Sequence, residues 1–161
     1  MSPFPQSLAM KLLRARELLM QRFRPSLYAQ GLTEQQWRVL RALWEVDTMS
    51  NQSLSDRCVL HPASMSRILP KLERDGLISR RPIEQDRRNL AVTLTVAGRQ
   101  LVANLIPEND RIFAGVVEDV GVEVIEAVYL ALDDLNDGLS RGNERPIMTA
   151  SLESRRRETR A

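Results

Sequence analysis

Residues 62–95 read PASMSRILPKLERDGLISRRPIEQDRRNLAVTLT, and the hydrophobic period changes once within them. In the first half Met65, Ile68, Leu69 and Leu72 recur at steps of three and four, the buried stripe of a helix that begins at Pro62. Gly76 stands where a C-terminal cap belongs. Beyond it the period falls to two. Leu77 to Arg81 predicts one short strand, and Leu90, Val92 and Leu94, alternating with Ala91 and Thr93, predict another. The segment PIEQDRRN between them reads as a polar hairpin tip containing Asp86, Arg87 and Arg88. Away from its apolar stripe the helix carries Ser64, Ser66, Arg67, Lys71 and Arg74, hydroxyls and cations with a single carboxylate, Glu73. Pro70 is an anomaly, because an interior proline removes a helix hydrogen bond and should kink the helix.

Upstream, Leu8, Leu12, Ala15, Leu19, Phe23 and Leu27 mark a long first helix, with a stripe that Leu13 and Met20 widen beyond what a small core needs. Pro25 should kink or end that helix, and Gly31 closes the segment. Thr33 and Gln36 read as a capping box for a second helix that buries Trp37, Leu40, Leu43 and Trp44. A polar break from Asp47 to Asn51 precedes a short third helix around residues 53–59, with Leu54 and Cys58 on one face. Downstream, Thr95 is the expected N-cap of a helical region running to about Ser140, interrupted by Pro107 and jointed at Gly121. Residues 143–161 are rich in charge and poor in apolar side chains, so a mobile basic tail is expected there.

Composition narrows the function. A chain of 161 residues suits a single domain. One cysteine precludes an intramolecular disulfide, and one histidine leaves no His-based metal site. No Gly-rich phosphate loop is present among the seven glycines, and no run of apolar residues is long enough to span a bilayer. The first segment lacks the pattern of a signal peptide. A cytoplasmic protein without cofactor or catalytic activity is expected. The net charge of +2 conceals a division. Residues 1–99 hold 16 Lys and Arg against nine Asp and Glu, whereas residues 100–144 hold two against ten. One part is suited to a polyanion and the other is not.

The order helix, helix, helix, hairpin defines a winged helix-turn-helix within a mainly α fold with a small β-hairpin wing. A helix fits the major groove of double-stranded DNA, where Ser and Arg reach phosphates and base edges. A cationic hairpin tip fits the narrower minor groove. The alternative for the Ser/Arg face is an ordinary solvated helix surface.

The segments LTEQQWRVLRAL, SMSRILPKLERDGLI and QDRRNLAVTLTVAGRQL resemble the signature of MarR-type transcriptional regulators, and the resemblance covers roughly residues 5–142. More narrowly, LLRARELLMQRFRP followed by GLTEQQWRVLRAL is similar to the branch of that family controlling homoprotocatechuate and 4-hydroxyphenylacetate degradation operons. The resemblance implies a homodimer on a pseudo-palindromic operator. Residues 1–30 and 96–142 would form the dimer platform, and 33–95 the DNA-binding part. It implies a recognition helix at residues 62–75 and a wing in which Arg88 enters the minor groove, oriented by Asp86, with Arg87 at a phosphate.

It also implies an effector, a small aromatic carboxylate. Met20, Phe23 and Trp37 would wall its ring, and Arg16 would hold its carboxylate, with Arg38 and His61 as the next choices. For the apolar three the alternative is core packing, and for Arg16 a surface or dimer-interface cation. Cys58 reads either as a buried cysteine or as a thiol sensor. Two rival functions remain: a winged helix for architectural or protein contacts without an effector, and a small enzyme with a site between helices.

Overall fold

In the computed structural model the described residues are 7–83 and 86–143; the side chains of residues 83, 86–89, 142 and 143 are not among them. The elements run α1 (Leu8–Ala29), α2 (Glu34–Glu45), β1 (Thr48–Ser50), α3 (Asn51–Arg57), α4 (Pro62–Arg74), β2 (Ile78–Ile83), β3 (Asp86–Leu94), α5 (Val96–Val120) and α6 (Val122–Asn143). The chain divides into two compact units, the first ending at Val116 and the second beginning at Val117.

The core of the first unit is built by the stripes expected from sequence. Leu40 and Leu43 of α2, Leu54 of α3, Leu69 and Leu72 of α4, Val92 of β3 and Val102 of α5 are fully or almost fully buried in one cluster. Burying each such side chain stabilises the fold by roughly 1.5–3 kcal/mol relative to exposure. The capping box at α2 is complete: Gln36 N donates to Thr33 Oγ1 at 3.2 Å, and Thr33 N donates to Gln36 Oε1 at 2.8 Å. Thr95 caps α5, accepting from Gly98 N at 3.0 Å.

Three expectations need correction. The break at residues 47–51 contains β1, which pairs antiparallel with β3 so that the sheet order is β1-β3-β2. Three polar-flanked residues carry no strand signal of their own; the pairing of Thr48 with Thr93 makes them one. The hairpin strands also extend further than expected, with Ile83 paired to Asp86, so Asp86, Arg87 and Arg88 open β3. Finally, Pro25, Pro70 and Pro107 all lie inside continuous helices. Each removes one hydrogen bond to the carbonyl four residues back. Those residues, Gln21, Ser66 and Ala103, are exposed or half-exposed, where water can satisfy the freed carbonyl.

Helix-ending turns set the approach of α3 to α4. After α4, Leu77 N donates to Leu72 O and Gly76 N to Glu73 O, with Gly76 at φ +72°. The same pair of bonds closes α3, from Leu60 N to Ser55 O and from Val59 N to Asp56 O. Here the left-handed position, φ +50°, is held by a valine, whose branched Cβ fits it poorly. Val59 is 84% exposed, so its side chain contributes little packing. Val59→Gly should therefore raise stability by about 0.5–1 kcal/mol, relief of strain outweighing the added chain entropy. The urea midpoint should rise with an unchanged slope.

Along α1 only the C-terminal end of the stripe is covered. Leu27 is buried and Phe23 half-buried, whereas Leu8, Leu12, Leu13, Leu18 and Leu19 are exposed. In the second unit Gly121, at φ +94°, is the joint before α6. Among its described side chains that helix has none buried, and it exposes Val124, Val128, Tyr129, Leu130 and Leu139. Beyond Asn143, the expected basic tail lies outside the described residues. Among those residues no helix is long and apolar enough to cross a membrane.

Candidate nucleic-acid interface and effector cleft

The recognition element begins at His61, whose Nδ1 accepts from Ala63 N at 3.2 Å and so caps α4. Met65, Leu69 and Leu72 face the core. At the helical period Ser64, Arg67, Lys71 and Arg74 fall within roughly 80° of one another on the opposite side. All four are exposed. Lys71 is paired with Asp75 at 2.9 Å, whereas the guanidiniums of Arg67 and Arg74 have no partner among the described residues. Ser66 stands off this stripe: its hydroxyl donates to Ala63 O at 2.8 Å, and it lines the cleft between α3 and α4. The turn that presents α4 is held from two sides. Ser55 Oγ donates to Leu60 O, and an Arg38 Nη1–H donates to Cys58 O, both at 2.7 Å.

In the wing, Ser79 and Thr93 share a hydrogen bond across β2 and β3 at 2.9 Å. Arg80 turns inward to Glu73 of α4, and this contact holds the Glu73 carboxyl below the usual carboxylate range. Arg81 is exposed. The side chains of Asp86, Arg87 and Arg88 lie outside the described residues.

The residues expected to hold an effector are not brought together. Arg16 pairs with Glu17 at 2.8 Å and with Glu34, and Arg24 reaches the same two carboxylates at 2.6 and 2.5 Å. Burial alone would raise the pKa of Glu34, but the hydrogen bonds from Arg24 and Arg16 more than offset it and lower the value. The four charges sum to zero, so Arg16 is not a free cation awaiting a carboxylate. These side chains, with Tyr28, Thr33 and Gln35, line a polar cleft of about 490 Å³ that contains neither Met20, Phe23 nor Trp37. His61 is occupied as a helix cap and lies in neither cleft.

Trp37 and Arg38 do meet, in a second cleft of about 210 Å³ lined also by Arg41, Ala42, Glu45, Arg57 and Cys58. Sequence reading missed Arg41 and Arg57. Both are tied to Glu45, at 3.3 and 2.6 Å. The spacing of Trp37, Arg41 and Glu45, one turn apart each, was the available signal. Arg38 Nε is buried without an acceptor among the described residues. Burial pushes the Cys58 thiol up, against the pull of Arg38 and Arg57, so it is not activated as a thiolate. Among the described residues no cluster of His, Cys, Asp and Glu is arranged to hold a metal ion.

A helix-turn-helix with a cationic outer stripe and an adjoining hairpin defines a winged-helix regulator. Residues 32–90 match the MarR family. The HTH-type transcriptional regulator FarR of Neisseria gonorrhoeae is 37% identical over 138 residues, covering 83% of this chain and 94% of FarR. The homoprotocatechuate degradative operon repressor of Escherichia coli is 45% identical over 96 residues, 59% of this chain and 64% of the repressor. Among solved structures, transcriptional regulator PA4135 aligns with a TM-score of 0.78 at 34% identity, covering 87% of this chain and 98% of that one. NadR in complex with 4-hydroxyphenylacetate aligns with a TM-score of 0.71 at 32% identity, covering 84% and 96%. The chain belongs to the MarR family of transcriptional regulators.

Proposed function

We propose that the protein is a homodimeric repressor that binds a pseudo-palindromic operator through α4 and the wing, and that a small aromatic carboxylate releases it. The observation carrying this reading is the exposed stripe of Ser64, Arg67, Lys71 and Arg74, with two arginines unpaired among the described residues. In the wing Arg88 enters the minor groove, oriented by Asp86, with Arg87 at a phosphate. The uncovered leucines of α1 support a second copy as partner, since a large apolar face left in water favours association. Residues 1–30 and 96–142 then form the platform, and residues 33–95 the DNA-binding part of one domain.

The effector sits against Trp37, with its carboxylate on Arg38 or Arg41. A planar acid suits that cleft, because its lining combines the aromatic Trp37 with the guanidinium side chains of Arg38 and Arg41. NadR with its 4-hydroxyphenylacetate and the homoprotocatechuate operon repressor supply the choice of acid. At a hundredfold excess over Kd, 4-hydroxyphenylacetate should stabilise the protein by about 2.7 kcal/mol, or roughly 5–10 °C in Tm. It should also dissociate the DNA complex. Trp37→Ala should keep DNA binding and lose both responses. An unchanged Tm with hydroxyphenylacetates and related aromatic acids would favour the reading without an effector.

A further inference from the structure

Arg80 is an arginine of the wing that does not point outward. It lies on the same face of β2 as Ile78, which is buried, and opposite Val92, which is fully buried. Its side chain is only 22% exposed. Arg80 Nε donates to Glu73 Oε2 at 2.9 Å, and the terminal nitrogen Nη2 donates to the same oxygen. Glu73 is in the last turn of α4, beside Arg74, and is the one carboxylate between Pro62 and Arg74. A carboxylate on a helix that approaches phosphates is a cost unless its charge is used elsewhere. Here it is used.

We propose that Glu73 and Arg80 are positioning residues for DNA binding: their ion pair fixes the angle between the recognition helix and the wing, so that major and minor grooves are reached together. Gly76 and the turn around it join α4 to β2, and apart from backbone bonds of that turn the pair is a direct polar tie between the two reading elements. Arg80 therefore acts through Glu73 and not by touching phosphate. The inference rests on the DNA-binding reading above, and its test separates the two.

The test uses the full chain and a DNA fragment recovered by the wild type from a random-sequence pool, titrated at several salt concentrations. Wild-type binding tests the DNA reading. Glu73→Gln and Arg80→Gln should each weaken binding about tenfold, and the double variant should be no worse than either single, the non-additivity of partners in one interaction. The dependence of log K on log salt should keep its slope, because no phosphate contact is lost. Arg80→Lys should recover part of the affinity, and thermal unfolding should show each variant folded. A direct phosphate contact gives the opposite pattern. Glu73→Gln would then bind as tightly as wild type or more tightly, and Arg80→Gln would reduce the salt slope by about one per contact. Either result would overturn the proposal.

Discussion

Gly98→Ala should destabilise the protein by about 3 kcal/mol or more, although the replacement lies in a helix where propensity favours alanine by about 1 kcal/mol. A Cβ on Gly98 would stand 2.0 Å from the Leu77 carbonyl oxygen, 3.0 Å from its carbon and 3.2 Å from Leu94 Cδ2. The carbonyl cannot retreat cheaply. It accepts from Thr95 N at 3.1 Å, while Leu77 N is committed to Leu72 O at 2.9 Å and Thr95 Oγ1 donates to Gly76 O at 2.6 Å. Opening this knot would disturb the end of α4, the start of β2 and the cap of α5 together. Gly115→Ala, where nothing lies within 4 Å, is the control and should stabilise by roughly 0.5–1 kcal/mol. At roughly 2–4 °C per kcal/mol, calorimetry should show a loss of about 6–12 °C for Gly98→Ala and a small gain for the control.

Gly98 also marks the boundary between what was legible in the sequence and what was not. Local signals were legible because their physics is local. The Thr33–Gln36 box spans four residues, the start of α4 rests on Pro62, and its end rests on Gly76. The outer stripe of α4 follows from its inner one by helical period alone. What was not legible depends on distant partners. β1 exists through residues 91–93, and Gly98 is indispensable through Leu77. The three prolines were read from a local rule, yet the packed faces of their helices outweigh the single bond each removes.

The grouping of the residues expected around an effector was not legible for the same reason. Nothing near Arg16 announces that Glu34, 18 residues away, will reach it, nor that Arg24 will share the same carboxylates. Glu34, at the first position of α2, was not singled out in the sequence, whereas its burial and two arginines make it a clamp between α1 and α2. Trp37 and Arg38 line one cleft because they are adjacent on α2. Arg57 joins them only when α3 docks against α2, which no single-helix pattern can express.

Charge reversal on the outer stripe of α4 has the largest functional effect expected. Arg67 is exposed and has no partner among the described residues, so Arg67→Glu removes no packing or ion pair described in the fold. On DNA it removes a cation and places an anion against phosphate or a base edge. In a dimer the loss is felt at both half-sites. With roughly 1–3 kcal/mol at stake for each such contact, affinity should fall about a hundredfold or more. The deciding measurement is a mobility-shift titration of wild type and Arg67→Glu on DNA that the wild type selects from a random pool. The expected result is a palindrome with half-sites about 10 base pairs apart, bound by the wild type and lost by the variant at equal Tm. Selection of no common sequence, or binding by Arg67→Glu at wild-type affinity, would contradict it.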